Sequence, residues 1–149
     1  MKKDLTITHK DNPEVKRLCK VINSSSYRKT LTLVQALPGG KTGFKGNEYD
    51  LLVVNLNPTH LNCEFDISSN NEFLNDMTKS MNSKKMNSNS LIVIKLNLYD
   101  EKNRVVASAL LFPHGFVRTS INTYEFVYQE CSIIYADELY KERSNSNGR

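Results

Sequence analysis

The run Gly40-Lys41-Thr42, placed behind a strand-like stretch, is the first feature of this sequence that could do chemistry. A phosphate-binding loop presents a glycine, a lysine and a threonine in this way to a nucleotide. That loop also needs a glycine five residues before Gly40, and Gln35 stands there. Nor is a helix expected to follow, because Gly43, Gly46 and Asn47 would break it. The segment Pro38-Gly39-Gly40-Lys41-Thr42-Gly43-Phe44-Lys45-Gly46 therefore reads as a glycine-rich hairpin tip. Its backbone amides, with Lys41 and Lys45, have the chemistry to clamp a phosphate backbone.

Other reactive residue types are scattered. His9, His60 and His114 have no partners at zinc-ligand spacing, with neither Cys-x-x-Cys nor His-Glu-x-x-His present, so no metal is expected. Cys19, Cys63 and Cys131 are odd in number and far apart, which reads as reduced, cytosol-type thiols in apolar settings. A hydrolase would have to pair Cys131 or Cys63 with His114 across the fold. No Gly-x-Ser-x-Gly elbow occurs, and the carboxylate pairs Asp100-Glu101 and Asp137-Glu138 fall in a turn and near the end. No catalytic residue and no cofactor are expected. Tyr124, Phe126, Tyr128 and Tyr135 could stack bases if exposed, but few basic residues interleave with them and strand aromatics ordinarily pack in the core.

The elements that position these residues follow from patterning. Asp11-Asn12-Pro13-Glu14 is a helix start, and Val15, Leu18, Cys19 and Ile22 form one apolar helical stripe closed by Asn23 to Ser26. Lys16, Arg17 and Lys20 lie off that stripe. Residues 27–37 read as a strand, 49–56 as a short apolar strand ended by Asn57-Pro58, and Leu61, Cys63, Phe65 and Ile67 alternate as a half-buried strand. Phe73, Leu74, Met77 and Met81 predict a short helix ending near Met81, and residues 82–90 a mobile polar loop. Strands follow at 91–99, at 104–112 as far as Pro113-His114-Gly115, and at 123–135, which is long enough for one strand or for two halves around a bulge near Gln129-Glu130. A terminal helical turn over 136–142 and a frayed tail over 144–149 complete the chain. The fold expected is mainly β, an antiparallel β-sandwich or partly open barrel with two short accessory helices, in a single domain over 1–149.

Bulk composition fits that expectation. The chain has 149 residues, 39% hydrophobic and 24% charged, with a net charge of +4. Typical domains hold about 100–150 residues. The longest apolar runs, such as residues 109–112, stop at four, far from a membrane span. Met1-Lys2-Lys3-Asp4 leads into no apolar segment, so no secretory signal is expected and the compartment is read as cytoplasmic. Asparagine occurs 17 times, lysine outnumbers arginine 14 to 6 and tryptophan is absent, a bias of AT-rich coding such as a virus or phage uses.

The charge is unevenly spread. Residues 1–47 hold ten basic and three acidic side chains, a net +7, against −3 for residues 48–149. Such asymmetry attracts anionic partners through the field alone. The functional expectation is a non-enzymatic, intracellular binding or assembly protein, matrix-like or nucleic-acid-associated. It would contact its partner through Lys16, Arg17, Lys20, Arg28, Lys29, Lys41 and Lys45. RNA or DNA comes first as that partner, and an acidic membrane surface next. The alternative is an inhibitor or adaptor that docks on a host protein through a sheet edge or loop, with 82–90 and Pro113-His114-Gly115-Phe116 as contacts. Self-association into a homo-oligomer suits either reading.

Overall fold

Asn12 opens the first helix: its side chain accepts a hydrogen bond from the Glu14 amide at 2.8 Å, and Pro13 occupies the first helical position. In this computed structural model residues 7–135 are described. They form β1 (Ile7–His9), α1 (Pro13–Ser24), β2 (Arg28–Ala36), β3 (Thr42–Asp50), β4 (Val53–Leu56) and β5 (His60–Glu64). The chain continues through α2 (Ile67–Met86), β6 (Leu91–Tyr99), β7 (Val105–Ser120) and β8 (Thr123–Tyr135). The expected turn over 136–142 and tail over 144–149 lie outside the described residues.

The protein is mainly β, as its patterning predicts. All eight strands join one open antiparallel sheet in the order β3-β2-β6-β7-β8-β5-β4, with β1 alongside β8. Both helices cover the same face: α1 packs on β4, β1 and β8, and α2 on β3, β2 and β6. Between helices and sheet lies the core, where Val15, Leu18, Cys19 and Ile22 of α1 are buried as their spacing requires. The β8 bulge is also where the sequence puts it. Cys131 pairs with Leu111 and Tyr128 with Pro113, so β8 carries one extra residue around Gln129 and Glu130.

Five segments depart from the sequence reading. The glycine segment is mostly strand: the tip is only Pro38–Gly40, and β3 already begins at Thr42. A Cβ on Gly43 would stand 2.3 Å from Gln35 Oε1, and one on Gly46 would stand 2.6 Å from Asp76 Oδ2. These two glycines serve close approach rather than a flexible loop. The apolar run over 49–56 divides between the end of β3 and β4, and the alternation from Leu61 stops at Phe65. Asp66 there caps α2 by accepting from the Ser69 amide at 2.7 Å, which leaves Ile67 64% exposed.

The second helix is not short. It runs 20 residues, so 82–86 are its last turn, and only 87–90 remain of the expected polar loop. Tertiary bonds supply what the polar sequence lacks. Ser83 Oγ donates to Gln35 Oε1 at 2.7 Å, Lys84 Nζ to the Ser90 carbonyl at 2.5 Å, and the Asn87 amide to the carbonyls of Ser83 and Lys84. Finally, Pro113-His114-Gly115 does not end β7; it shifts the register with β8 at Pro113 and again at Gly115, and the strand continues to Ser120. Proline is accepted in sheets at such bulges and edges.

Candidate interaction groove

β6 and β7 are paired from Tyr99 and Val105 at one end to Ile94 and Leu111 at the other. Beyond that point they part. Among the described residues Leu91 to Val93 keep only β2 as a paired strand, whereas Pro113 to Ser120 keep only β8. The sheet is forked there, and each arm has a free edge. In an antiparallel ladder alternate residues direct their N–H and C=O to opposite sides, so each arm presents unpaired main-chain groups to the opening.

The C-terminal half of α2 lies over the fork. Together they form a groove of about 450 Å³. Leu33, Ile94 and Phe126 make the floor, and Met77 and Met81 stand on the helix side. The arms of the fork contribute Leu91, Ile92 and the Pro113-to-Phe116 segment. Three apolar side chains are left in solvent: Met81 is 50% exposed, Leu91 57% and Phe116 43%. Large apolar side chains gathered and exposed in this way mark interaction sites more often than ordinary surface.

Among the lining residues the one lysine is Lys84 and none is acidic, although Glu125 of β8 pairs with Val117 nearby. No Asp or Glu occurs between Asp76 and Asp100, nor between Glu101 and Glu125. Lys79 and Lys85 flank Lys84 on α2, Arg118 follows Phe116 on β7, and His114 is among the lining residues. Arg118 is held in place by donating to the Ile121 carbonyl from Nε at 3.1 Å and from Nη2 at 2.5 Å.

The seven basic residues singled out by the N-terminal charge do not share one surface. Lys16, Arg17 and Lys20 lie along α1, where Arg17 approaches Glu14 at 3.7 Å. Arg28 pairs with Asp50 at 2.5 Å and lies 4.4 Å over the Tyr99 ring. Lys29 donates to the carbonyls of Ser25 and Tyr27 at 2.6 and 3.1 Å, and its partial burial lowers the pKa of the ammonium. Lys41 and Lys45 stand toward the other end of β2, Lys45 roughly 17–20 Å away and Lys41 farther, at about 3.3 Å per residue. The structure thus brings Lys16, Arg17 and Lys20 together, and brings Lys45 beside Lys95, but does not unite the two groups. Lys95 and the groove lysines were missed by counting charge along the N-terminal third alone. The acid-free stretches 77–99 and 102–124 are the signal that points to the groove.

The possible nucleophiles are sequestered. Cys63 and Cys131 are buried, and burial pushes their thiols up to about 12 and about 11 respectively. Burial likewise raises Cys19. At neutral pH all three are protonated, whereas nucleophilic attack needs the thiolate. Among the described residues no three His, Cys, Asp or Glu side chains are gathered as a metal would require. Tyr124, Phe126 and Tyr128 are buried in the core, so they offer no stacking platform. No described helix is long and apolar enough to cross a membrane. No family model, no curated protein and no solved structure matches the chain.

Proposed function

We propose that this protein is a non-catalytic binding module that receives an extended, acidic and apolar segment of another protein in the fork between β6 and β7. The segment adds as a strand, using main-chain hydrogen bonds for affinity and alternate side chains for specificity. Its apolar residues fill the groove against Met81, Leu91 and Phe116, and its carboxylates meet Lys79, Lys84, Lys85 and Arg118. The observation that carries this reading is the fork itself, where two strand edges face one apolar groove. An acyl chain would use the apolar surface but leave the edges unpaired. A nucleic-acid strand would use the cations but has no complement for exposed Met and Leu.

The test is fluorescence anisotropy with a labelled ten-residue peptide of alternating Val and Thr, flanked by two Glu at each end. Saturable binding is expected, weakened at least about tenfold by Phe116→Glu or Leu91→Glu, since truncating a central anchor typically costs about 2 kcal/mol or more. Salt should weaken it further by screening the lysine contacts. Lys16→Glu/Arg17→Glu/Lys20→Glu should leave peptide binding unchanged. The reading fails if that triple variant abolishes binding while Phe116→Glu does not, or if single-stranded DNA competes on equal terms.

A further inference from the structure

The opposite face of the sheet, which neither helix covers, is polar where it should be plain surface. Thr30 and Thr32 of β2, Asn97 of β6 and Ser108 of β7 point there, and all four are buried. Asn97 and Ser108 face each other across the ladder, each 6% exposed. Asn97 Oδ1 and Ser108 Oγ have no hydrogen-bond partner among the described residues. Burying a polar atom without a partner costs about 1–3 kcal/mol, and native structures hold few such atoms. Both residues line a groove of about 570 Å³ that also takes in Glu48, Lys45, Lys95 and Tyr99.

Glu48 is tuned as an acceptor. Its Oε2 accepts from Thr30 Oγ1 at 2.5 Å, from the Tyr99 hydroxyl and, at 3.4 Å, from Asn97 Nδ2. Burial raises its pKa, but the three hydrogen bonds and the nearby Arg28 charge outweigh that and hold the carboxyl below its ordinary range. All three bonds fall on one oxygen, so Oε1 keeps its accepting capacity. The groove thus holds acceptors that call for neutral donors, with Glu48 and Lys95 in one row on either side of Thr32. Lys45 and Lys95, which line the same groove, call for an anion. One carboxylate against two ammonium groups leaves the groove net positive, which disfavours a cationic amine.

We propose that this outer-face groove binds a small ribose phosphate, with the sugar's vicinal hydroxyls donating to Glu48 and Asn97 and the phosphate between Lys45 and Lys95. Acidic side chains accept from ribose hydroxyls in this manner in dinucleotide sites, and lysine binds phosphate as a point charge. The groove has room for a pentose phosphate and is open enough for a base attached to it. The site lies on the other face from the fork and does not depend on it.

The experiment is a titration of the full chain followed by two-dimensional amide NMR, with ribose 5-phosphate, 2-deoxyribose 5-phosphate, adenosine 5′-monophosphate and inorganic phosphate. Saturable shifts are expected at Asn97, Lys95 and Ser108 with ribose 5-phosphate, and at least about tenfold weaker binding of the deoxy sugar, the loss of one hydrogen bond to a charged group. Glu48→Gln should keep its native spectrum but lose that preference, and Lys95→Ala should weaken both sugars alike. Tighter binding of the nucleotide than of the sugar phosphate would assign the ligand to nucleotides, and equal binding to sugar phosphates; both uphold the site. It is overturned if ribose 5-phosphate gives no saturable shift at millimolar concentration, or if inorganic phosphate matches its affinity.

Discussion

The two halves of α2 lie against the same sheet yet meet opposite circumstances. In the first half Asn70, Phe73 and Asp76 are buried. Phe73 stacks on Phe65 at 4.6 Å and meets Tyr49 and Tyr124 edge-on, Tyr124 donates to Asn70 Oδ1 at 2.5 Å, and Tyr49 donates to Asp76 Oδ2 at 2.6 Å. Burial and the neighbouring Asp76 carboxylate push the Tyr49 phenol well above its ordinary value, so it remains the donor. In the second half Met81 and Met86 are exposed, and the sheet beneath has parted. The continuous sheet gives Phe73 a surface to bury against; where the sheet has parted, Met81 stays half in solvent. The first half is held by its own fold, and the second is where the proposed segment would dock.

That contrast can be broken most severely in the first half. Phe73→Ala should destabilise the protein by about 3–5 kcal/mol in denaturant unfolding, because it leaves a cavity beneath three rings. Met81→Ala should cost less than about 1 kcal/mol, since its side chain is already half in water. A comparable loss from both would erase the distinction between the halves. Next in size is Asp76→Ala, expected to cost about 2–3 kcal/mol because the Tyr49 hydroxyl and the Asn47 amide, 2.9 Å from Asp76 Oδ2, lose their acceptor inside the fold.

The smallest expected effect is a pH dependence on the uncovered face. Glu48 is held below its ordinary value of 4.5 in the folded chain, so the folded state favours its ionised form. Its contribution is present above about pH 4.5 and is lost as pH falls through the lowered value. Glu48→Gln should flatten the acid limb of stability against pH by a few tenths of a kcal/mol, a small amount because the group is solvent-screened. An unchanged acid limb would show that Glu48 holds no such bias.

Much of this architecture is legible where local chemistry and tertiary packing agree. Asn12-Pro13 and the four-residue apolar stripe give α1, the alternation over β6 gives a strand, and the doublet Gln129-Glu130 gives the β8 bulge. The rest depends on partners distant in sequence. Residues 82–86 look like a loop because Asn82 and Ser83 form helices weakly and the apolar helical spacing is not continued past Met81. They are helical because Gln35 and Ser90 bind their side chains from elsewhere. Pro113 reads as a strand terminator, yet β7 passes through it because the bulge and the parting from β6 remove the need for a regular ladder. The site suffers from the same blindness. A charge tally along the chain counts Arg28 and Lys29 as available, while the fold engages them with Asp50 and with two carbonyls. The Pro113-to-Phe116 contact proposed from sequence does line the groove, but only the parting of two strands reveals why.

The most direct measurement is amide hydrogen exchange at the fork, with and without the acidic Val/Thr peptide. The amides of residues 91–93 and 115–118 that face the opening should exchange fast in the free protein and slow at least about tenfold on peptide addition, as a new strand pairs with both edges. Protection that appears instead along α1, or peptide binding that leaves the fork amides unprotected, would contradict the account.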